Sequence, residues 1–191
     1  MKNWMKRHLC IEGVDRVGKS SLIQNFQNKM VKIFEGPYHV IHSQNFKSDG
    51  VTGESLENHS HVYYSQQMDL WKTDPEECKF IFDRAHLGET VYSPLYRNYS
   101  GQYVWALERL HELATDNVIL ILLTDSAENL LRREDGESLS GADLDKKRSE
   151  IEAFDKAFDD SLIRNKIRID VGRYDNAEEV FGSVIMRLQH L

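Results

Sequence analysis

Short apolar runs alternate along the chain with longer stretches of helical periodicity. The first apolar run is His8-Leu9-Cys10-Ile11-Glu12, and others lie near 38–43, 78–83, 117–124 and 166–171. These lengths suit strands. Apolar positions at helical spacing predict helices near 19–33, 55–73, 89–114, 126–134, 144–164 and 176–190. Regular strand–helix alternation predicts an α/β three-layer sandwich, a five-stranded parallel sheet with helices on both faces. The run from Asn117 to Thr124 is apolar almost throughout, as a central strand covered on both sides should be. No repeat or low-complexity segment interrupts the pattern. The 191 residues are therefore read as a single domain.

In such a sheet, ligands bind beyond the carboxyl ends of the strands, so the residues following each strand carry the chemistry. The first strand is followed by Gly13-Val14-Asp15-Arg16-Val17-Gly18-Lys19-Ser20, which fits G-x-x-x-x-G-K-[ST]. A strand before the motif and a helix after it are the context it requires. Its backbone N–H groups and the helix N-terminus can hold a polyphosphate. The candidate phosphate-binding set is Gly13, Val17, Gly18, Lys19, Ser20 and Ser21. Lys19 would reach the terminal phosphates, and the Ser20 hydroxyl would sit on Mg²⁺. Arg16 is not demanded by the general motif. It either neutralises charge on a transferring phosphoryl group, as an arginine finger does, or is a solvated loop residue; spacing leaves both open.

The third strand ends in Phe82-Asp83-Arg84. An acid there suits a second Mg²⁺ partner, and an arginine beside it can grip a second phosphate bidentately. The alternative is a structural ion pair. Beyond the fourth strand, residues 132–145 are rich in charge, glycine and serine and begin with Arg132 and Arg133. They are read as a lid over the phosphates, with an ordinary solvated loop as the alternative. Two aromatic stretches, His59 to Gln67 and Glu89 to Tyr99, contain Tyr64, Gln67 and Tyr92. Rings stack on a base and an amide reads its edge, although any single tyrosine is more often packing. His59 and His61 lack metal-ligand company, so no zinc is expected.

Composition narrows the setting. Apolar residues make up 40% of the chain, and no run approaches the roughly 20 residues that a membrane span needs. Met1 to His8 is basic but lacks the apolar core of a signal peptide. A soluble cytoplasmic protein with no membrane partner is expected. Cys10 and Cys78 fall in predicted core strands, where two reduced thiols are expected. A net charge of −7 argues against a general partner of polymeric nucleic acid.

The segment Ile11-Glu12-Gly13-Val14-Asp15-Arg16-Val17-Gly18-Lys19-Ser20-Ser21 resembles the phosphate loop of the thymidylate kinase family of nucleoside monophosphate kinases, in the form with an arginine inside the loop. Asn58-His59-Ser60, Asp83-Arg84, Arg168 to Val171 and the segment Arg148 to Leu162 also resemble that family, so the likeness spans nearly the whole chain. The resemblance implies one P-loop kinase domain over 1–191 with its lid near 132–145. It implies Mg·ATP-dependent phosphorylation of a deoxynucleoside 5′-monophosphate, dTMP first, and a homodimer. Lys19 and Arg16 would act on the transferring phosphoryl group, with Arg132 or Arg133 as the lid arginine. Ser20 and Asp83 would serve Mg²⁺. Asp15 would meet the acceptor's 3′-hydroxyl, Arg84 its phosphate, and Tyr92 its sugar and base.

Three departures bear on the acceptor. The family's arginine after the second strand is missing from His42-Ser43-Gln44-Asn45-Phe46-Lys47, which leaves Phe46 and Lys47 as acceptor candidates. The stacking aromatic followed four residues later by an arginine becomes Tyr63 with Gln67, or Tyr64 with Met68. The stretch Asp83 to Gly101 also differs, with Gly88-Glu89 and Ser93-Pro94 at usually small positions. A glutamine can both donate and accept, which opens the base preference. A deoxynucleoside kinase is the nearest rival. It would need a general base, for which Glu12 and Glu89 are candidates. A guanine-binding switch is disfavoured by Leu123-Thr124-Asp125-Ser126, which is no Asn-Lys-x-Asp reader. A non-catalytic nucleotide-binding module is disfavoured by the presence of Lys19, Arg16 and Asp83 together.

Overall fold

The computed structural model describes residues 3–30, 38–43 and 53–191. Five parallel strands, β1 (His8–Glu12), β2 (Tyr38–His42), β3 (Lys79–Asp83), β4 (Val118–Thr124) and β5 (Asn165–Asp170), form one sheet in the order β2-β3-β1-β4-β5. The register pairs Ile11 with Asp83 on one side and with Ile121 on the other. Side chains of β1 are buried at every position, and those of β4 at all but Thr124. Because successive side chains point to opposite faces, both faces of these strands are covered. The edge strands β2 and β5 are only half-buried.

The covering helices are α1 (Lys19–Met30), α2 (Glu54–Asp69), α3 (Leu87–Tyr92), α4 (Tyr103–Leu110), α5 (Ala127–Arg132), α6 (Leu144–Asp160) and α7 (Ala177–Leu188). Phe26 of α1 meets Phe181 of α7 edge-on at 5.2 Å between ring centres. Tyr92 of α3 likewise meets Phe154 of α6 at 5.6 Å. Side chains fix several helix starts: Ser126 caps α5, Asp143 caps α6 and Asn176 caps α7, each accepting from backbone N–H groups of the first turn. No helix among the described residues is long and apolar enough to cross a membrane.

The helix expected over 89–114 is in fact several pieces. After α3 the chain makes a π-helical turn (Ser93–Arg97), passes Asn98 at φ 60, and turns at Gly101 at φ 64 before α4. A β-carbon on Gly101 would lie 2.4 Å from the Glu89 carbonyl oxygen, so only glycine fits this approach. A 3-10 turn (Glu112–Asn117) then leads into β4. The predicted helix 55–73 ends at Asp69 with a 3-10 turn (Leu70–Lys72) behind it, and 144–164 ends at Asp160. Cys78 stands one residue before β3 and is half-buried, not in a core strand; both cysteines are free.

A buried carboxylate ties three of these pieces together. Glu108 of α4 accepts from His86 Nε2 at 2.5 Å, Ser161 Oγ at 2.6 Å and the Leu162 backbone N–H at 2.7 Å. Burial raises the carboxyl's pKa, but His86 and the hydrogen bonds outweigh it and hold the pKa below the usual range.

Candidate active site

The order of the sheet reverses at β1, which has β3 on one side and β4 on the other, so the loop after β1 lies at the switch point. That loop runs from Gly13 to Gly18, and α1 begins at Lys19. Gly13 (φ 141) passes so close to β4 that a β-carbon there would lie 2.3 Å from the Leu123 carbonyl oxygen. Gly18 (φ 99) has open space around it. Arg16 also adopts a left-handed backbone, φ 67. Lys19 is buried and donates to the Gly13 and Val14 carbonyl oxygens, both at 2.7 Å. Burial, with Arg84 nearby, lowers its pKa to about 8 against the opposing pull of Asp15, Glu12 and Asp83.

Asp15, Arg16, Gly18, Lys19, Ser20, Ser21, Arg84 and Glu137 line a polar cleft of about 450 Å³. Arg84 follows Asp83 with φ 67, donates its backbone N–H to Ile11 O, and reaches Asp15 Oδ1 with its guanidinium at 2.7 Å. Asp83 is buried, with its Oδ2 2.7 Å from His42 Nδ1. The oxygen donors that a Mg²⁺ ion prefers are present in Ser20 and Asp83. An ion held there would draw its other oxygens from phosphate and water, as Mg²⁺ usually does.

Arg84 also lines a second cavity, closed down to about 10 Å³, with Glu12, Gly13, Ser43, Tyr64, Ala85, Gly88, Tyr92, Arg97 and Phe154. Burial pushes the Tyr64 and Tyr92 hydroxyls well up, so both are neutral at pH 7. Gln67, one helical turn from Tyr64 on the same face of α2, donates Nε2–H to Ser43 Oγ at 2.6 Å. Ser43 in turn donates to the Arg84 carbonyl oxygen at 2.9 Å. Arg97 is held by Glu89 at 2.8 Å, and Glu89 also accepts from the Tyr99 and Tyr103 hydroxyls at 2.7 and 2.9 Å. Glu12 is fully buried; its Oε1 accepts the backbone N–H groups of Ala85 and Leu87, both at 2.9 Å. Its Oε2 has no hydrogen-bond partner among the described residues. Burial pushes its carboxyl pKa up.

On the other side of the loop, Arg16, Val17, Gly18, Ser21 and Leu22 face Arg133, Val171, Tyr174, Asp175, Asn176, Ala177 and Val180 across a cavity of about 290 Å³. Arg133 is anchored 2.7 Å from Asp125 Oδ2, an ion contact outside good hydrogen-bond geometry. Arg132 instead bonds Asn129 on its own helix and lines none of the three cavities. The segment 132–145, expected as a lid, touches the loop through an ion pair between Asp135 and Arg16. Its base is fixed by Glu134, which Lys147 meets at 2.5 Å with both side chains buried. Burial opposes ionisation of Glu134, but the Lys147, Ser138 and backbone hydrogen bonds prevail and hold its pKa at about 2.

The fold thus gathers Gly13, Asp15, Arg16, Val17, Gly18, Lys19, Ser20, Ser21, Arg84, Tyr64, Tyr92 and Arg133 around three cavities that share residues. Asp83 sits close enough to act on Lys19, and Gln67 stands behind Ser43. Phe46 and Lys47 lie outside the described residues. Glu89 is not available as a general base, since Arg97, Tyr99 and Tyr103 occupy its oxygens. Sequence reasoning missed Arg97, Phe154, Tyr174 and Asn176. It also missed Ser43, which the strand-end rule should have flagged, because Ser43 directly follows β2.

No protein-family pattern matches the sequence, and no curated protein matches it. Solved structures do. YorR protein from Bacillus subtilis, in complex with phosphorylated GDP, superposes with a TM-score of 0.68 at 17% identity, over 93% of this chain and 93% of that one. The fold is that of the P-loop kinases. Thymidylate kinase from Candida albicans follows at TM-score 0.62 and 15% identity, over 97% of this chain and 92% of that one. Deoxyadenosine kinase from M. mycoides, with dCMP and a flexible dCDP bound, gives 0.63 and 12%, over 96% and 100%. Known structures of this P-loop kinase fold therefore include kinases of nucleotides and of nucleosides, at identities too low to choose between them.

Proposed function

We propose that the protein transfers the γ-phosphoryl group of Mg·ATP to a deoxynucleoside 5′-monophosphate. The observation that carries this reading is the acceptor cavity itself: two arginines, Arg84 and Arg97, line it beside two buried tyrosines. Each guanidinium is paired with one carboxylate, Arg84 with Asp15 and Arg97 with Glu89, and its remaining N–H groups suit the oxygens of a monophosphate, which an uncharged nucleoside does not bring. Two of the structural neighbours hold nucleotides, phosphorylated GDP in one and the products dCMP and dCDP in the other. The family resemblance names dTMP, which is the reference acceptor.

In this reading the donor base occupies the cavity beside Tyr174 and Arg133, and its phosphates lie along the loop. Ser20 and Asp83 would hold Mg²⁺, which would neutralise charge on the phosphates when bound. Lys19 leaves the Gly13 and Val14 carbonyls for the transferring group, and Arg16 leaves Asp135. Both then bear on charge that grows in the transition state. Arg84 bridges donor and acceptor because it lines both cavities. The lid excludes water that would otherwise compete as acceptor. The rival reading rests on Glu12, whose unpartnered Oε2 faces the need for a base in a nucleoside kinase.

A coupled ADP assay with Mg·ATP, the four deoxynucleoside monophosphates and the four free nucleosides decides between them. Monophosphates are expected to turn over and nucleosides to be inert; the reverse result refutes the proposal. Arg16→Ala should lower kcat by about 10²- to 10³-fold without changing the circular-dichroism spectrum.

A further inference from the structure

The cleft beside the phosphate loop holds acids as well as cations. Glu137 lines it together with Lys19, Ser20 and Arg84. Two positions earlier, the Asp135 carboxylate is ion-paired with Arg16. The turn that carries both acids is organised around that pair. Asp135 Oδ1, the oxygen that meets Arg16, also accepts the Glu137 backbone N–H at 3.1 Å. Gly136, between the two acids, turns the chain at φ 88. Glu134 accepts the Gly136 backbone N–H at 2.9 Å and is itself anchored by Lys147 at 2.5 Å, with both of those side chains buried. The phosphate loop therefore meets two carboxylates presented from a fixed base. Lys19 and Arg84 also have partners in this state, but theirs are Gly13, Val14 and Asp15 of the loop itself. Arg16 is held from a separate segment.

We infer that the acidic turn 134–137 is an autoinhibitory contact that stands in for the terminal phosphate of the donor: Asp135 occupies Arg16 until a γ-phosphate displaces it, and Glu137 adds repulsion in the cleft. This inference rests on the phosphoryl-transfer reading above, in which Arg16 meets the transferring group. A carboxylate and a phosphate oxygen compete for the same guanidinium N–H groups. A nucleoside triphosphate brings its γ-phosphate to Arg16 and must break the pair. A diphosphate ends short of that position and leaves the pair in place. Asp135 therefore weakens triphosphate binding selectively, whereas Glu137, which opposes anionic charge anywhere in the cleft, weakens both. Once the γ-phosphoryl group has left, the pair re-forms. Asp135 touches no reacting atom; it sets when Arg16 becomes available.

The test measures Kd by calorimetry for Mg·ADP and for Mg²⁺ with the β,γ-imido analogue of ATP, which is not hydrolysed. Arg16 and Asp135 are 35% and 48% exposed, so the effect is that of a partly solvated pair. Asp135→Asn should tighten the triphosphate by about threefold to fivefold and ADP by less than about twofold. Glu137→Gln should tighten both by similar factors. Asp145→Asn removes an equal charge at a position that bonds Arg148 instead of the loop, and should change neither. In an Arg16→Ala background, Asp135→Asn should lose its effect on the triphosphate. Triphosphate binding that is unchanged or weaker in Asp135→Asn overturns the inference, as does an equal gain for ADP or a gain that persists without Arg16. If no monophosphate or nucleoside is phosphorylated but Asp135→Asn still tightens the triphosphate alone, the inference stands and the acceptor reading falls. Binding of neither nucleotide by the wild type overturns both.

Discussion

Lys19 is bonded to two carbonyl oxygens of its own loop, and burial has brought its pKa down to about 8. A bound polyphosphate favours the charged amine and raises that pKa. The consequence for pH has a definite sign. Below about 8 the amine is already charged, so ATP affinity should be flat. Above it, binding must take up a proton, and affinity should weaken by up to about tenfold per pH unit. Titration calorimetry between pH 7 and 9.5 would show this break, and Lys19→Met should bind weakly with no break. A wild-type profile without a break would contradict the assignment. Lys19, Asp83 and Arg84 were legible in the sequence because they follow strands at positions the phosphate-loop pattern anticipates. The tie between Gln67 and Ser43 was not, because it joins side chains 24 positions apart in the chain.

Among the elements, the five strands were all legible, with bounds displaced by about a residue, because their apolar runs are continuous. The long helix expected over 89–114 was not, for a reason specific to this stretch. Its apolar periodicity survives on either side of the break, while Asn98 and Gly101 reverse the backbone between them. Arg97 was overlooked with it, since its role depends on that reversal bringing it back beside Glu89. Gly101→Ala places a β-carbon against the Glu89 backbone and should cost about 2 kcal/mol or more in urea unfolding. It should also raise the acceptor KM, because Glu89 is what holds Arg97. Full stability in this variant would show that the turn is not under steric constraint.

On the scale of the whole molecule, the strand order explains why three cavities share walls. β1 lies between β3 and β4, so one loop borders one cavity with its Arg16–Leu22 side and another with Gly13. The Glu108 hub lies outside all three cavities. Glu108→Gln presents an N–H to donors that now meet an oxygen, and should cost about 1–3 kcal/mol of stability. Chemical denaturation would measure that loss, with kcat expected to stay near wild type. A fall in kcat without a fall in stability would place Glu108 in the reaction after all.

The two glycines of the phosphate motif answer to different neighbours. Gly18 has open space around it and needs only its φ of 99. Gly13 is glycine because the Leu123 carbonyl of β4 stands 2.3 Å from where a side chain would begin. The position of the loop is therefore set by the central strand pair, so a change in how β1 and β4 lie together is felt first at Gly13. Core repacking beneath β4, far from any ligand, would detune this site, whereas alterations at the β2 edge would leave the loop where it is.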